Sequence, residues 1–563
     1  MGTLVALGCS KGLEGNSYVM KALKFRNSKL LDGCAFCRQG MIAAAIAVAL
    51  TLQAAALPNL AWAEGLPDLG DASDASLSEP QERAIGKRIM LEIRNDRTYV
   101  DDPELRGYIG ALGNRLVSAS RGATNDNRRD FEFFLLNDDA INAFALPGGF
   151  IGIHSSLLLT TTTESELAGV LGHEIAHVLQ RHQARGIDAQ KSSALYQLLG
   201  LAVAIAAARS NSSSAGQATE AALATTAALQ YQNQLNYSRD FEREADRLGI
   251  QILSRAGFDI NGMVGFFERM QRANRHNVDA KFPGYLQTHP LTSERIADMQ
   301  NRVDSARADF RAIVAETAEY KFAKAKMRAL SMNANEAARF FRASIAEQTV
   351  LRNRSDNYGL ALSLLRLRDF AAAEKELATA RGIGPAQPWI EMLAADIQAG
   401  KKSWNEAIKI YRVGMQSFPE HRAFLYGLVD ALYESGQTDA AIEMVSEKLR
   451  NVQDDPLLFD LAAKGYERKK QRLAQHRAVG EAFFIRGNMV GAIDQLELAI
   501  KAKDADFYEI SSAEARLREF KSAFQNRVLL PGEKRDRGHD REKPFSYDER
   551  ARNVRNGPAV APR

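Results

Sequence analysis

Cysteine is almost missing from this chain. Its three cysteines, Cys9, Cys34 and Cys37, all fall within the first 37 of 563 residues. Beyond that point no disulfide and no thiolate metal site can form, so a metal bound there must be held by histidine and carboxylate. Histidine is scarce as well, with nine in all. Charge of one sign is lacking: 73 Lys and Arg against 69 Asp and Glu leave a formal net charge of +4, which gives nucleic-acid binding no support. Apolar runs long enough to cross a membrane are lacking too, with one exception near the amino terminus.

That exception runs from Met41 to Leu57, follows Lys21, Lys24, Arg26, Lys29 and Arg38, and leads into Ala61-Trp62-Ala63. The pattern predicts a secretory signal peptide over residues 1–63, cut between Ala63 and Glu64, with a bacterial periplasm as destination. The basic segment is long for a leader, so Met20 is a second candidate start, and an uncleaved anchor is the alternative. Once the leader is cut, Cys34-x-x-Cys37 is no redox site of the exported chain. The rest is expected to be soluble, with peripheral membrane association at most.

Against this background His173-Glu174-Ile175-Ala176-His177 stands out. Residues i and i+4 share a helix face, so both imidazoles can point at one ion, and Glu174 projects to where it can take the proton of an attacking water. With histidine this rare, chance would produce the pattern about one time in a hundred. Leu167, Val170 and Leu171 recur at helical spacing before it, Thr163 with Glu166 reads as a capping box, and no proline interrupts. His182, five residues past His177, is predicted to be rotated off the ligand face as a polar surface residue.

A catalytic zinc site needs a third protein ligand. The helical run Tyr237 to Gly249 offers Glu242 and Asp246, four apart on one face, of which one can bind the metal while the other orients a histidine or moves a proton. Two more segments fit a peptide cleft. Asn142 to His154 reads as strand, tight turn, strand, and an exposed edge there can bind an extended peptide, with Gly149, Phe150, Ile151 and Gly152 as the candidate substrate strand. In Thr288-His289-Pro290 the proline stiffens the residue before it. His289 then has three readings: a fourth ligand that keeps the site latent, an oxyanion stabiliser, or a helix-entry histidine without a catalytic part. Leu195 to Ala208 and Ala221 to Leu229 read as a helical lid over the cleft or as plain core helices.

HExxH followed by Glu-x-Glu-Ala-Asp-x-x-Gly, with His-Pro downstream, resembles the zinc peptidases of the CAAX prenyl protease and HtpX type. The resemblance implies a gluzincin-like α+β domain holding one zinc ion through His173, His177 and Glu242. It also implies Glu174 as base and Asp246 in a supporting or proton-donating catalytic role.

Past about residue 320 the chain is alanine-rich and helical. Ala373, Ala407 and Ala441 are spaced by 34 residues, the tetratricopeptide period, in which small residues lie where paired helices cross. Ala492 comes 51 residues later, which predicts one more unit after an irregular insertion. Pro388, Pro419 and Pro456 mark repeat edges. A non-repetitive helical bundle is the bland alternative. The expected organisation is a linker over 64–78, a mainly helical metallopeptidase domain with a small sheet over 79–318, a tetratricopeptide solenoid over 319–526, and a charged, disordered tail over 527–563. The whole combination resembles periplasmic zinc endopeptidases of Gram-negative bacteria that act in outer-membrane β-barrel assembly. That implies unfolded or stalled outer-membrane proteins as substrates, degraded or chaperoned, and the outer-membrane assembly machinery as partner of the repeats. The rival reading is a non-catalytic periplasmic chaperone or scaffold working through its repeats.

Overall fold

The computed structural model describes residues 77–121, 130–189, 239–276, 283–306, 316–347 and 354–528. The expected leader, the apolar stretches at 195–208 and 221–229, and nearly all of the tail lie outside these residues.

The first helices start where local chemistry caps them. Ser78 and Gln81 form a reciprocal capping box on α1 (Glu79–Asn95), with a proline in its first turn. Asp102 accepts from the Glu104 and Leu105 amides at the start of α2 (Pro103–Ser120). Three short strands follow, β1 (Glu132–Leu136), β2 (Ala143–Leu146) and β3 (Phe150–His154), ordered β1-β3-β2. Strand alternation sorts their side chains onto two faces. Phe134, Leu136, Leu146 and Phe150 pack with Ile85, Ile89 and Met90 of α1. Phe133, Leu135, Ala145, Ile151 and Ile153 enter the main core.

The predicted hairpin of β2 and β3 is present, but β3 also pairs in parallel with β1, so it is the central strand. This corrects the expected substrate strand. Phe150, Ile151 and Gly152 have a neighbour on either side, and Gly149 sits in the turn with its carbonyl accepting from the Glu132 amide. The edge strands are β1, bridged near its end by Tyr99 at Leu136, and β2.

After α3 (Ser155–Thr160) comes α4 (Glu164–Leu179), all of whose residues are buried. Its side-chain cap is Thr163 accepting from the Glu166 amide; the Glu166 carboxylate reaches back one residue further than predicted, to the Thr162 amide and hydroxyl at 2.6 and 2.7 Å. Around α4 stand α5 (His182–Ala189), α6 (Arg239–Arg255), α7 (Asn261–His276), α8 (Pro283–Thr288) and α9 (Ser293–Ala306). Burial of Leu167, Val170, Leu171 and Ile175, all fully covered, stabilises α4 in place by roughly 2 kcal/mol per side chain.

The remaining helices stack in pairs: α10 (Ala318–Ser331) with α11 (Ala334–Glu347), α12 (Arg354–Arg366) with α13 (Phe370–Gly382), α14 (Pro388–Gly400) with α15 (Trp404–Ser417), α16 (Ala423–Glu434) with α17 (Thr438–Asn451), and α18 (Pro456–Arg468) with α19 (Arg472–Ile485). Then come α20 (Met489–Ile500) and α21 (Phe507–Gln525). Ala373, Ala407, Ala441 and Ala492 are fully buried, as small residues at helix crossings must be. Pro388 and Pro456 occupy first turns, where a missing N–H is harmless.

A second marker of the period is conformational. Arg368, Lys402, Gly436 and Lys470, each 34 residues from the next, adopt left-handed backbone with φ of 61, 61, 82 and 60°. Behind them the amides of Asp369, Ser403, Gln437 and Gln471 donate to the carbonyls of Leu364, Gln398, Leu432 and Tyr466 at 2.8–3.0 Å. This is a helix stop repeated in register. The fourth member shows that α18 and α19 form a regular unit where an irregular insertion was expected. The alanine signature fails there because the equivalent position is Gln475.

The amino-terminal helices and sheet share a core with the first helical pairs. It runs without a gap from Leu105 in α2 through Ile175, Phe267 and Tyr320 to Trp389 and Ile397 in α14. A charged cluster reinforces the junction: the buried Lys326 of α10 contacts Asp102 at 2.7 Å and also Glu104, which takes a further contact from His421 Nε2 at 3.0 Å. Burial works against the Lys326 charge, but Asp102 and Glu104 outweigh it and raise its pKa well above the usual lysine value.

At Gly436 a Cβ would meet nothing within 4 Å, so only backbone strain opposes a side chain there. Gly436→Ala is expected to lower stability by about 1 kcal/mol, and Lys402→Gly, relieving the same strain, to raise it by up to a similar amount. Thermal melts of the two variants check this; shifts of the same sign would refute it.

Candidate metal centre

Helices α4 and α6 cross where glycine faces glycine. A Cβ on Gly249 would lie 3.1 Å from the His173 amide nitrogen, and one on Gly172 would lie 3.2 Å from the Gly249 carbonyl. A side chain on either would push the backbones apart by a few tenths of an ångström. The contact sets the two sequence motifs against each other. His173, Glu174 and His177 on α4, and Glu242 and Asp246 on α6, are each at most 2% exposed.

Four donor atoms converge there. His173 Nε2 lies 3.0 Å from His177 Nε2 and 3.4 Å from His289 Nδ1. The Glu242 carboxylate is 3.4 Å from His173 Nε2, 3.4 Å from His177 Nε2 and 3.0 Å from His289 Nδ1. Donors about 2.0–2.1 Å from one tetrahedral ion would stand about 3.3 Å apart. The residues present fit a single divalent ion. Glu174 stands beside them, its Oε1 3.4 Å from His289 Nε2. Gly149, Phe150, Ile151 and Gly152 are not part of this cluster.

The surrounding groups hold the donors in place. His173 Nδ1 faces Asp246 Oδ1 at 3.0 Å, and Arg295 of α9 grips both Asp246 oxygens at 2.8 Å and Glu242 Oε2 at 2.7 Å. Arg295 also donates to the Pro290 carbonyl at 2.7 Å, tying the His-Pro segment to the same centre. The Tyr285 ring stacks on His289 with centroids 4.7 Å apart, and its hydroxyl is buried without a hydrogen-bond partner among the described residues. Strand β2 packs against α4, and the carbonyl of its Ala145 accepts from the Gln183 side-chain amide.

His182 departs from expectation. It is fully buried, with its Nδ1 2.9 Å from His177 Nδ1 and its Nε2 3.2 Å from Glu244. The surface assignment assumed one continuous helix, whereas Arg181 takes φ of 50° and turns the chain back. Sequence reasoning gave no role to Tyr285, nor to Arg295, although Arg295 closes the stretch Thr288 to Arg295 that carries His289.

The electrostatics ask for a cation. Burial pushes the Glu174 carboxyl up, against the pull of His289 and His173. For Glu242, burial is outweighed by His289, His173 and His177, which hold its carboxyl well below the usual range. Burial, aided by the neighbouring His173, lowers His177 to about 3 despite Glu242, leaving a neutral ring with a lone pair to give. Burial would lower His173 too, but Asp246 and Glu242 overcome it and raise it to about 9. Glu242 and Asp246, sharing one arginine, thus draw a proton onto His173 where a metal ion would serve.

Residues 103–303 match peptidase family M48, and residues 398–465 match a tetratricopeptide repeat. The beta-barrel assembly-enhancing protease of Escherichia coli (strain K12) is 33% identical over 465 residues, covering 82% of this chain and 92% of the relative. The chain belongs to the family of beta-barrel assembly-enhancing proteases. The family member of Yersinia pestis is 32% identical over 434 residues, 77% of this chain and 86% of the relative. A more distant relative, the mitochondrial metalloendopeptidase OMA1 of Bos taurus, is 27% identical over 223 residues, 38% of this chain and 40% of its own. Membership makes this chain a metallopeptidase with carboxy-terminal tetratricopeptide repeats, as its sequence suggested.

Two outcomes follow. Gly249→Val drives a side chain into the α4 backbone and is expected to cost about 1–3 kcal/mol and most of the bound metal, read by melting and metal analysis. Binding at His173 must displace its proton, so affinity for a divalent ion is expected to rise about tenfold per pH unit below about 9. Chelator competition at pH 7 and 8 measures this; a pH-independent affinity would contradict it.

Proposed function

We propose that the chain is a periplasmic zinc endopeptidase that degrades unfolded or stalled outer-membrane β-barrel proteins and, through its repeats, engages the outer-membrane assembly machinery. In this reading His173, His177 and Glu242 hold one zinc ion, and His289 supplies a fourth donor. The observation that carries it is the meeting of four buried donors, from His173, His177, Glu242 and His289, within 4.8 Å of one another, with Glu174 alongside. With no cysteine past Cys37, zinc here would be left to imidazole and carboxylate, a donor set typical of catalytic zinc. The resident ion supplies Lewis acidity and lowers the pKa of water. The names of the relatives supply the substrate class.

The residues divide the remaining work. Glu174 takes the proton of the attacking water and passes it to the leaving amine; burial, by raising its pKa, suits it to give that proton up again. Asp246 orients His173 and, with Arg295, keeps Glu242 aimed inward. His289 at the fourth donor position closes the site, so catalysis requires the segment between α8 and α9 to swing out. Strand β2 packs against α4 and pairs only with β3 among the described strands, so it, rather than β3, is the ladder for an extended substrate once Gln183 releases the Ala145 carbonyl.

Glu174→Gln is expected to cut proteolysis of an unfolded outer-membrane protein about 10²–10⁴-fold while metal content stays at one ion per chain. Unchanged cleavage would remove Glu174 from the chemistry; a wild-type chain without protease activity would leave the scaffold reading. His289→Ala is expected to raise activity, and a loss would mean that His289 assists the transition state instead of latching the site.

A further inference from the structure

The middle glutamate of Glu242-Arg243-Glu244-Ala245-Asp246 and the histidine beyond HExxH have no part in the mechanism above, yet they meet. Arg181, left-handed and gripped by Glu82 at 2.9 and 2.8 Å, ends α4 and redirects the chain. His182 is thereby pointed back at His177, Nδ1 to Nδ1 at 2.9 Å. Its ring stacks on Phe241, centroids 4.5 Å apart and planes within 8°. Its Nε2 lies 3.2 Å from Glu244, which Arg185 holds at 3.0 Å.

Hydrogen positions follow from this geometry. An ionised carboxylate only accepts, so His182 Nε2 carries its hydrogen and, in the neutral ring, Nδ1 offers a lone pair. His177 Nδ1 must then donate, which leaves the lone pair of His177 Nε2 facing Glu242 and His173 Nε2. The opposite assignment would place a hydrogen on His177 Nε2 and block it as a donor to metal. Asp246, 3.0 Å from His173 Nδ1, stands in the corresponding place beside the other histidine.

We propose that His182 and Glu244 are positioning residues that fix His177 in its metal-binding tautomer. Resting on the metal-centre reading, this assigns every carboxylate of the motif: Glu242 holds the ion, Asp246 backs one histidine, and Glu244 backs the other through His182.

The test is zinc affinity of the full chain by competition with a chromogenic chelator, with the melting temperature of the metal-free protein as control. His182→Phe keeps a ring against Phe241 but removes the acceptor, and is expected to weaken binding 10–100-fold. His182→Gln, whose amide can accept from His177 and donate to Glu244, is expected to recover most of that loss, which a space-filling role would not predict. Glu244→Leu leaves His182 in place and is expected to weaken binding in the same direction; it carries the test if His182→Phe does not fold. Wild-type affinity in the folded variants, or His182→Gln no better than His182→Phe, overturns the proposal. A wild-type chain that takes up no zinc overturns the metal-centre reading itself.

Discussion

The centre depends on the approach of two helices at a point where neither has a side chain. Gly172 and Gly249 let the backbones of α4 and α6 touch, and that contact brings a carboxylate within 3.4 Å of two imidazoles some seventy residues away in sequence. Elsewhere on α4 a complete apolar jacket supplies the rigidity. Such a helix would gain more from leucine than from His173, Glu174 and His177, whose burial is costly without partners. The cost is offset in part by Arg295 and the histidines facing the carboxylates, while His173 Nδ1, Glu174 Oε1 and Glu242 Oε2 are buried without a hydrogen-bond partner among the described residues, as befits a centre built around an ion.

What could be read from the chain was what lies within one helix or one repeat. The i, i+4 relation placed His173 with His177 and Glu242 with Asp246, because helical geometry fixes such pairs whatever surrounds them. The period of Ala373, Ala407 and Ala441 exposed the repeats for the same reason: a crossing helix leaves room only for a small residue. The choice of Glu242 over Asp246 as metal donor needed the family resemblance, since spacing alone treats the two alike.

The failures came where distant or irregular backbone decides. One left-handed residue, Arg181, moved His182 from a surface position into the interior. The hairpin of β2 and β3 was legible, but its pairing with β1 was not, and that third strand turned Phe150 to Gly152 from an edge into the middle of a sheet. Gln475, in a slot that alanine fills elsewhere, hid a regular repeat whose left-handed Lys470 kept time with the others.

The uninterrupted apolar packing from Leu105 to Ile397 has a bearing on how the two halves can be taken apart. A cut near residue 318 would strip Tyr320, Phe322 and Met327 from the undersides of α2 and α3 and strand Glu104 without its lysine. The first helical pairs are thus a wall of the enzyme as well as the root of the solenoid. A load applied to the root is borne by the same atoms that keep the catalytic helix still.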